Sequence, residues 1–310
     1  MIKMEALKMN YYDAIKENLI KCEIYDRARD YAKDRNKVNV YFEIGRLLSD
    51  AGKEYGKNII KQYSEKLMVE LCFAGNVGKK YNERTLYRMR KFYEIFSNEK
   101  LSAVRSKLTW SHYRELLVLK NIDEIKYYID ICEKNNFSHR QLQEKIKNHE
   151  YDRLSDETKN KLIKQEKTNV SDLIKNPITI KVNSLNEKVT EYALKEAILN
   201  NLDYFLLELG YGFTYVGNEF KIKLGDRYNY IDLLLFNIEF NCYIVVELKV
   251  TELKKEHIGQ IQLYMNYVDS NIKKIYQDKT IGIIIVKKDN KYVIEYSSDE
   301  RIISTSYKLV

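Results

Sequence analysis

The sequence predicts two domains: an all-α first half, then an α/β second half whose mixed sheet is flanked by helices. Up to about residue 150, apolar residues recur every three or four positions, which is the period of an amphipathic helix. After about residue 180, apolar runs of strand length alternate with helix-like segments. At 310 residues the chain is long enough for about two separate cores.

The composition excludes several classes of protein. The four cysteines lie far apart with no CxxC pair, which predicts reduced thiols in a cytoplasmic protein rather than disulfides or a zinc site. No apolar leader opens the chain, and no apolar run approaches the ~20 residues of a membrane helix. No glycine-rich phosphate loop is present, so we expect no nucleotide cofactor. The net charge of +8 permits a polyanionic partner without requiring one.

In the first half, residues 1–150, the spacing predicts a series of helices separated by glycine and asparagine breaks. They are expected near residues 8–34, 37–50, 57–71, 82–97, 110–120, 122–135 and 138–150. The stretch 55–97 has the layout of a helix-turn-helix, with a glycine-bearing connection between two helices.

Basic residues concentrate in this part of the chain. Residues 79–107 hold nine Lys or Arg against three Asp or Glu. Arg84, Arg88 and Lys91 fall on one face of the predicted second helix, and Arg90 lies beside them. A basic helix face of this kind suits contact with a nucleic-acid backbone, although a solvated surface explains it equally well. The sequence thus leaves two interpretations open, DNA or partner binding and plain solvation.

Polar residues dominate residues 151–180, which we expect to be a linker, with the change of domain near residue 170. From 181 to 310 the order of elements predicts a mixed sheet with helices on its faces. Helices are expected at 185–209 and 254–269, and strands at about 213–224, 228–237, 241–250, 281–287 and 292–296.

Three charged residues interrupt two of these predicted strands. Asp232 lies inside the first apolar run, and Glu247 and Lys249 lie inside the second. Burying an unpaired carboxylate costs several kcal/mol, so a fold keeps one there only when it is paired or bound to a cation. A hairpin between the two strands would bring Asp232 and Glu247 together, and Lys249 shares the face of Glu247.

Paired carboxylates suit Mg²⁺, with Mn²⁺ as a substitute, because hard cations take oxygen ligands. Phosphodiester hydrolysis by metal-activated water needs such a site with a cation such as Lys249 beside it. On the following helix Gln260 and Tyr264 are four apart and share a face, where they could contact the phosphate or the water. The spacing of Asp232, Glu247 and Lys249 is loose, and a purely structural charge cluster would also fit it.

The chain resembles the YhcG-like family of PD-(D/E)XK nucleases along most of its length. The second half carries FLLELGYGF at 205–213, IDLL at 231–234, VELK at 246–249, GQ at 259–260 with LY at 263–264, and IGII at 281–284. The first half carries YFEIGR at 41–46, YG at 55–56, NERTLYRMRKFY at 82–93 and LTWSHY at 108–113. This first half is similar to the helical domain of unknown function that precedes such nuclease domains.

The resemblance implies a restriction-endonuclease-like core in which Asp232, Glu247 and Lys249 form the D-E-x-K set. Gln260 and Tyr264 match a QxxxY motif on the helix that follows. The acidic residue that a preceding helix often adds is best matched by Glu208, with Glu196 as its rival. One departure is that Glu219-Phe220-Lys221 replaces a Gln-plus-basic stretch, which puts substrate contacts from that strand in doubt.

These features together lead us to expect a Mg²⁺-dependent DNA endonuclease. Bacterial defence, DNA repair and processing of mobile elements are all compatible roles, and a homodimer would allow both strands to be cut. The main alternative is a DNA-binding or assembly module that keeps the fold without catalysis. A weaker alternative is a nuclease that acts on RNA.

Overall fold

A computed structural model describes residues 10–27, 33–56, 58–71, 80–98, 101, 108–182, 189–295 and 299–310. The chain divides into two compact units, residues 1–148 and 149–310. The first unit is helical in its described residues, and the second contains a mixed sheet flanked by helices. The predicted fold class is confirmed. None of the described helices is both long enough and apolar enough to span a membrane.

The helices of the first unit lie close to the positions that the sequence predicts. Their bounds are α1 Tyr11–Arg27, α2 Lys33–Tyr55, α3 Ile59–Glu70, α4 Glu83–Phe96, α5 Trp110–Leu116, α6 Ile122–Asn135 and α7 His139–Lys147. Asn82, Asn121 and Ser138 cap the N-termini of α4, α6 and α7 by accepting hydrogen bonds from backbone amides. The connection of the expected helix-turn-helix, residues 72–79, lies outside the described residues, so that motif stays a prediction.

Helices α2 and α4 pack unusually closely at Gly45. A Cβ atom added at Gly45 would lie 2.2 Å from the carbonyl oxygen of Met89 and 2.8 Å from Cβ of Tyr93. Only glycine therefore permits this approach of the two backbones. The apolar core around the contact includes Leu86 and Met89 of α4, both fully buried.

The second unit is built from six strands and the helices that connect them. It contains a 3₁₀ turn Tyr151–Arg153, α8 Asp156–Lys164, α9 Val170–Leu173, β1 Ile178–Ile180, α10 Glu191–Asn200, α11 Leu202–Leu209, β2 Phe213–Leu224, β3 Arg227–Asn237, β4 Cys242–Glu252, α12 Lys255–Asn271, β5 Asp278–Lys288, α13 Lys291–Glu295 and β6 Ile302–Leu309.

The strand order is β1-β6-β5-β4-β3-β2. The pairs β2–β3 and β3–β4 are antiparallel, whereas β4–β5, β5–β6 and β1–β6 are parallel. One face of the sheet forms an apolar core with α10 and α11, and the other forms a core with α12. The sheet is therefore buried on both faces, which explains why its central strands are almost continuously apolar.

The segment 151–180 differs from the expected linker, because it is folded into the second unit. Its contacts with the rest of the unit hold it there: Arg153 pairs with Glu208 of α11, and Thr305 Oγ1 donates to the carbonyl of Lys175 at 2.7 Å. Lys175 also pairs with Glu150, directly before the segment, at 3.4 Å, and within the segment Lys161 pairs with Asp172 at 3.1 Å. Its last residues form β1, which pairs with β6 from Ile178↔Tyr307 onwards. The high polar content that suggested a linker is in part a set of internally paired charges.

Two other expectations are corrected in this unit. The helix expected over 185–209 is two helices, since the backbone leaves helical geometry at Asn201, whose side-chain amide donates to the carbonyl of Ala197 at 3.2 Å. The strand expected at 292–296 is wrong, because α13 occupies Lys291–Glu295 and the final strand is β6.

Candidate active site

The candidate site lies where β3 and β4 stop pairing through their backbones. The cross-strand register runs from Asn237↔Cys242 to Leu233↔Val246. Beyond it, the side-chain carboxylates of Asp232 and Glu247 accept the hydrogen bonds between the two strands. The amide of Leu248 donates to Asp232 Oδ2 at 2.9 Å, and the amide of Asp232 donates to Glu247 Oε1 at 3.3 Å. Each carboxylate is thus anchored to the neighbouring strand, and the two acids predicted from the sequence are brought together.

Burial makes this carboxylate pair electrostatically unfavourable. Glu247 is only 2% exposed, and desolvation together with the negative charge of Asp232 raises its pKa to about 7. Desolvation also raises the pKa of Asp232, although the Leu248 amide and the ammonium groups of Lys249 and Lys195 oppose the shift. A bound cation would relieve both effects, since it compensates two desolvated negative charges at once.

Lys249 supplies a positive charge on the same side of the pair. Its Nζ lies 3.2 Å from Glu247 Oε2 and 4.0 Å from Oε2 of Glu191. Burial alone would lower the pKa of Lys249, but the charges of Glu247, Glu191 and Asp232 outweigh it and the pKa is raised. Lys249 therefore stays an ammonium group, as a role in charge stabilisation requires.

Glu191 is a site residue that the sequence analysis missed. It lies in the first turn of α10, directly after the N-cap Thr190, and its side chain is 47% exposed. Its charge acts on Lys249 and on Asp232. An acidic residue in a first helical turn is common for capping reasons alone, so the sequence offered no sharper signal.

Glu208 and Glu196 were expected to supply the acid from the preceding helix, but neither takes the position that Glu191 occupies beside Lys249. Both oxygens of Glu208 are engaged by Arg153, and Oε1 also accepts the amide of Thr179 in β1 at 2.8 Å. Because β1 is three strands from β4 in the sheet, that carboxylate lies roughly 14 Å or more from Glu247. Glu196 lies on α10 with Glu191, but five residues on, which turns it by about 140° around the helix. The assignment of Glu208 as a metal ligand is therefore corrected.

A second lysine and a further carboxylate border the site. Lys195, one turn after Glu191 on α10, is buried, pairs with Glu219 of β2, and is close enough to Asp232 to favour its charged form. Glu219 has φ +45°, a left-handed backbone that only a few per cent of non-glycine residues adopt. Its irregular backbone falls opposite Asp232 in the β2–β3 register, between the pairs Asn218↔Leu233 and Phe220↔Ile231.

Helix α12 contributes the polar residues on the other flank. Gln260 Nε2 donates to the hydroxyl of Tyr264 at 3.0 Å, and Tyr264 is buried in the core under the helix. Tyr264 therefore holds Gln260 instead of reaching solvent itself. One turn earlier, burial and the ammonium groups of Lys249 and Lys254 lower the pKa of His257. His257 was not predicted, and this coupling to Lys249 puts the start of α12 beside the site.

The donors at the carboxylate pair suit a hard divalent cation. In the part of the chain that the structure describes, no three His, Cys, Asp or Glu side chains form a closed metal cluster. Mg²⁺ is commonly held by one or two carboxylates and retains several waters, so Asp232 and Glu247 are a sufficient protein contribution. Their desolvation and mutual repulsion are the observations that favour such an ion.

The basic residues of α4 belong to the first unit. Arg84 and Lys91 are exposed, and Arg88 is half-buried. Burial and the neighbouring charges of Arg84 and Arg114 lower the pKa of Arg88, although Glu115 opposes the shift. Arg90 differs from them, because it pairs with Glu94 at 3.1 Å and lies over the ring of Tyr87.

Comparison with known proteins identifies both units. Residues 21–153 match the DUF1016 N-terminal domain, and residues 171–310 match the YhcG PDDEXK nuclease domain. A protein of Escherichia coli (strain K12) named "Putative nuclease YhcG" is 25% identical over 314 aligned residues, covering 87% of this chain and 82% of that protein. The match to the nuclease model confirms the restriction-endonuclease-like fold expected for the second half.

Two solved structures are also similar to part of the chain. The crystal structure of a repair endonuclease from Pyrococcus abyssi has a TM-score of 0.28 at 15% identity, over 41% of this chain and 49% of its own. The structure of an EndoMS–dsDNA2 complex has a TM-score of 0.27 at 17% identity, over 42% and 48%. The chain thus spans about half the length of each. From the two domain matches, the chain belongs to the YhcG-like family of PD-(D/E)XK nucleases.

Proposed function

We propose that this protein is a divalent-metal-dependent endonuclease that hydrolyses phosphodiester bonds in DNA. The observation that carries the proposal is the pair of desolvated carboxylates, Asp232 and Glu247, with the ammonium group of Lys249 3.2 Å from Glu247. A charge pair kept inside a sheet at this cost is typical of a catalytic site.

Asp232 and Glu247 would hold Mg²⁺, and Mn²⁺ would substitute for it. When bound, such an ion would polarise the scissile phosphate and lower the pKa of a coordinated water. The backbone amides of Leu248 and Asp232 keep the two carboxylates in position, so the ligands need no rearrangement before the ion enters.

Lys249 would position the attacking water and compensate the negative charge that develops on the phosphate. The carboxylates of Glu247 and Glu191 beside it favour its ammonium form, so it would act as a cation and not as a base. Glu191, on the far side of Lys249, would orient that ammonium group and complete the acidic border of the site. Gln260, held by Tyr264, would donate an amide hydrogen bond to the phosphate or the water.

For the first unit we propose DNA binding through Arg84, Arg88 and Lys91 of α4. The charges of Arg84 and Arg114 act on Arg88, which supports the proposal. The guanidinium groups repel one another, and the negative phosphates of a nucleic-acid backbone would relieve this repulsion more than solvent does. Arg90 would contribute less than these residues, because Glu94 already neutralises it.

Cleavage of supercoiled plasmid and of an RNA transcript, each with Mg²⁺, Mn²⁺ or EDTA, tests the proposal. We expect plasmid cutting with either ion, none with EDTA, and none by Asp232→Asn with any ion. Asp226→Asn is the matched control, because Asp226 is an exposed acid in the β2–β3 turn. DNA that is bound but stays intact under every condition would favour the non-catalytic module, and cutting of RNA alone would favour the ribonuclease.

A further inference from the structure

The hairpin of β2 and β3 carries an exposed basic and aromatic face that the catalytic residues do not use. Lys221 and Lys223 alternate with the buried Ile222, so both lysines lie on the opposite face of the strand. The register sets Lys221 opposite Tyr230, and Lys223 opposite Tyr228. These four residues, Lys221, Lys223, Tyr228 and Tyr230, form the hairpin face.

The tyrosines of the hairpin face are open to solvent, although aromatic rings gain most from burial. Tyr228 is 55% exposed and Tyr230 is 53% exposed. The ammonium of Lys221 lies over the Tyr228 ring, 3.9 Å from its centroid. This cation–π contact fixes the ring and the charge together, so that both are presented in a fixed arrangement.

The hairpin face is continuous with the catalytic site. Tyr230 precedes Asp232 by two residues on β3, a separation of roughly 7 Å along the strand. On β2, Glu219 precedes Lys221 by two residues and pairs with Lys195, which in turn acts on Asp232. A polymer bound on the hairpin face would therefore lead directly to the carboxylate pair.

The charge and chemistry of this face select one class of partner. Within the described residues neither lysine of this face forms an ion pair, and Glu219, two residues before Lys221, pairs with Lys195. Exposed aromatic rings beside lysines suit single-stranded nucleic acid, whose bases stack on the rings while its phosphates meet the cations. Bases in a duplex are already stacked on one another and offer the rings no free surface.

We propose that the hairpin face binds a single-stranded segment of the nucleic acid next to the bond that is cut. The inference rests on the proposed nuclease function and adds the form of the substrate to it. The enzyme would then prefer DNA with an unpaired stretch, such as a flap, a gap or a melted strand, over continuous duplex.

Binding of fluorescein-labelled oligothymidine and of a matched duplex, measured by anisotropy in EDTA, tests the inference with the full chain. We expect Tyr228→Leu with Tyr230→Leu to weaken single-strand binding about tenfold and duplex binding much less. Tyr228→Phe with Tyr230→Phe should bind single strands as the wild type does, because the ring faces are kept. We expect Lys221→Gln with Lys223→Gln to lower the salt slope for the single strand by about 1.4.

The matched control is Tyr276→Leu with Lys274→Gln, which removes an exposed ring and a charge elsewhere. Tyr276 lies by the β3–β4 turn, where its carbonyl accepts from Asn241 at 2.9 Å, at the other end of β3. The inference is overturned if the leucine pair binds single strands like the wild type, or loses duplex and single-strand binding equally. Plasmid cutting by the wild type reports separately on the proposed nuclease function, which stands whichever way the hairpin variants behave.

Discussion

The backbone amide of Leu248 on β4 donates a 2.9 Å hydrogen bond to the carboxylate of Asp232 on β3. One carboxylate of the proposed metal-binding pair is thus held by the strand that carries its partner, Glu247. The sheet gives up regular backbone pairing at this position and gains two carboxylates at a fixed separation. This exchange explains how a buried, mutually repelling pair of acids can be kept in the fold.

The repulsion between these acids predicts how stability depends on pH without metal. The pKa of Glu247 is about 4.5 in the unfolded chain and about 7 in the fold, so between these values the unfolded chain ionises first. The contribution of Glu247 to stability is therefore fully present below pH 4.5 and is lost as pH rises to about 7, by about 3 kcal/mol in total. Urea unfolding in EDTA from pH 4.5 to pH 8 measures this loss.

Glu247→Gln is the control for that experiment, because it removes the titrating group and keeps the shape of the side chain. Its stability should be much flatter over the same pH range and should exceed that of the wild type at pH 8. A wild type that loses no stability relative to Glu247→Gln between pH 5 and pH 8 would contradict the electrostatic account. Adding Mg²⁺ at pH 8 should raise the melting temperature of the wild type and leave Glu247→Gln nearly unchanged.

Neutralising Glu191 is predicted to affect mainly the cleavage rate, whereas neutralising Glu208 is predicted to affect mainly stability. Glu191→Gln should lower the cleavage rate with little loss of stability, because Glu191 is half exposed and borders Lys249. Glu208→Gln should cost about 3–5 kcal/mol of stability, since it leaves the buried guanidinium of Arg153 without its carboxylate. Unfolding curves and plasmid cutting rates on both variants separate the roles. Normal stability with lost cutting in Glu208→Gln would restore Glu208 as a site residue.

The contact of α2 with α4 predicts that alanine substitutions at two glycines of α2 change the stability of the protein by different amounts. Gly45→Ala should destabilise the protein by about 1–3 kcal/mol, because the added methyl group meets the backbone of Met89. Gly52→Ala, also in α2, is the control, because its added methyl group would meet only Arg90 Nη1 at 3.7 Å. The control should be neutral or stabilising by up to about 1 kcal/mol through helix propensity. Equal melting temperatures for the two variants would show that the helices are not in this close contact.

The basic cluster of α4 predicts the salt dependence of duplex binding. Arg84→Gln and Arg88→Gln should each lower the slope of log K against log salt by about 0.9, if each arginine contacts one phosphate. Arg90→Gln is the matched control on the same helix, and its effect should be smaller because Glu94 pairs with it. Slopes that do not change in the first two variants would mean that this helix face is only solvated.

Features that depend on residues close together in the chain could be predicted from the sequence, whereas features that depend on distant residues could not. Local signals located the helices of the first unit and strands β2 to β5 well, since caps, glycines and periodicity act within a few residues. The short strand β1 was missed because its stabilising partner, β6, is more than a hundred residues away: Ile178 pairs with Tyr307. No local pattern marks such a parallel pairing. The last strand was also predicted at the wrong position, residues 292–296, whereas β6 is Ile302–Leu309.

The same distinction applies to the candidate site. Asp232, Glu247 and Lys249 could be predicted, because charges inside apolar strands are visible in the sequence itself. Glu191 could not, since an acid four residues before a lysine on a helix looks like an ordinary surface ion pair. In the fold Lys195 turns instead to Glu219 on β2, a contact that only the tertiary structure creates.

The most direct test of the account is a crystal of the protein soaked in Mn²⁺ and measured at an energy where manganese scatters anomalously. We predict a Mn²⁺ ion bound between the carboxylates of Asp232 and Glu247, with water in its remaining coordination positions, and no ion there in crystals of Glu247→Gln. A crystal of the wild type that binds no ion at this pair, or binds it at Glu208 instead, would contradict the central claim.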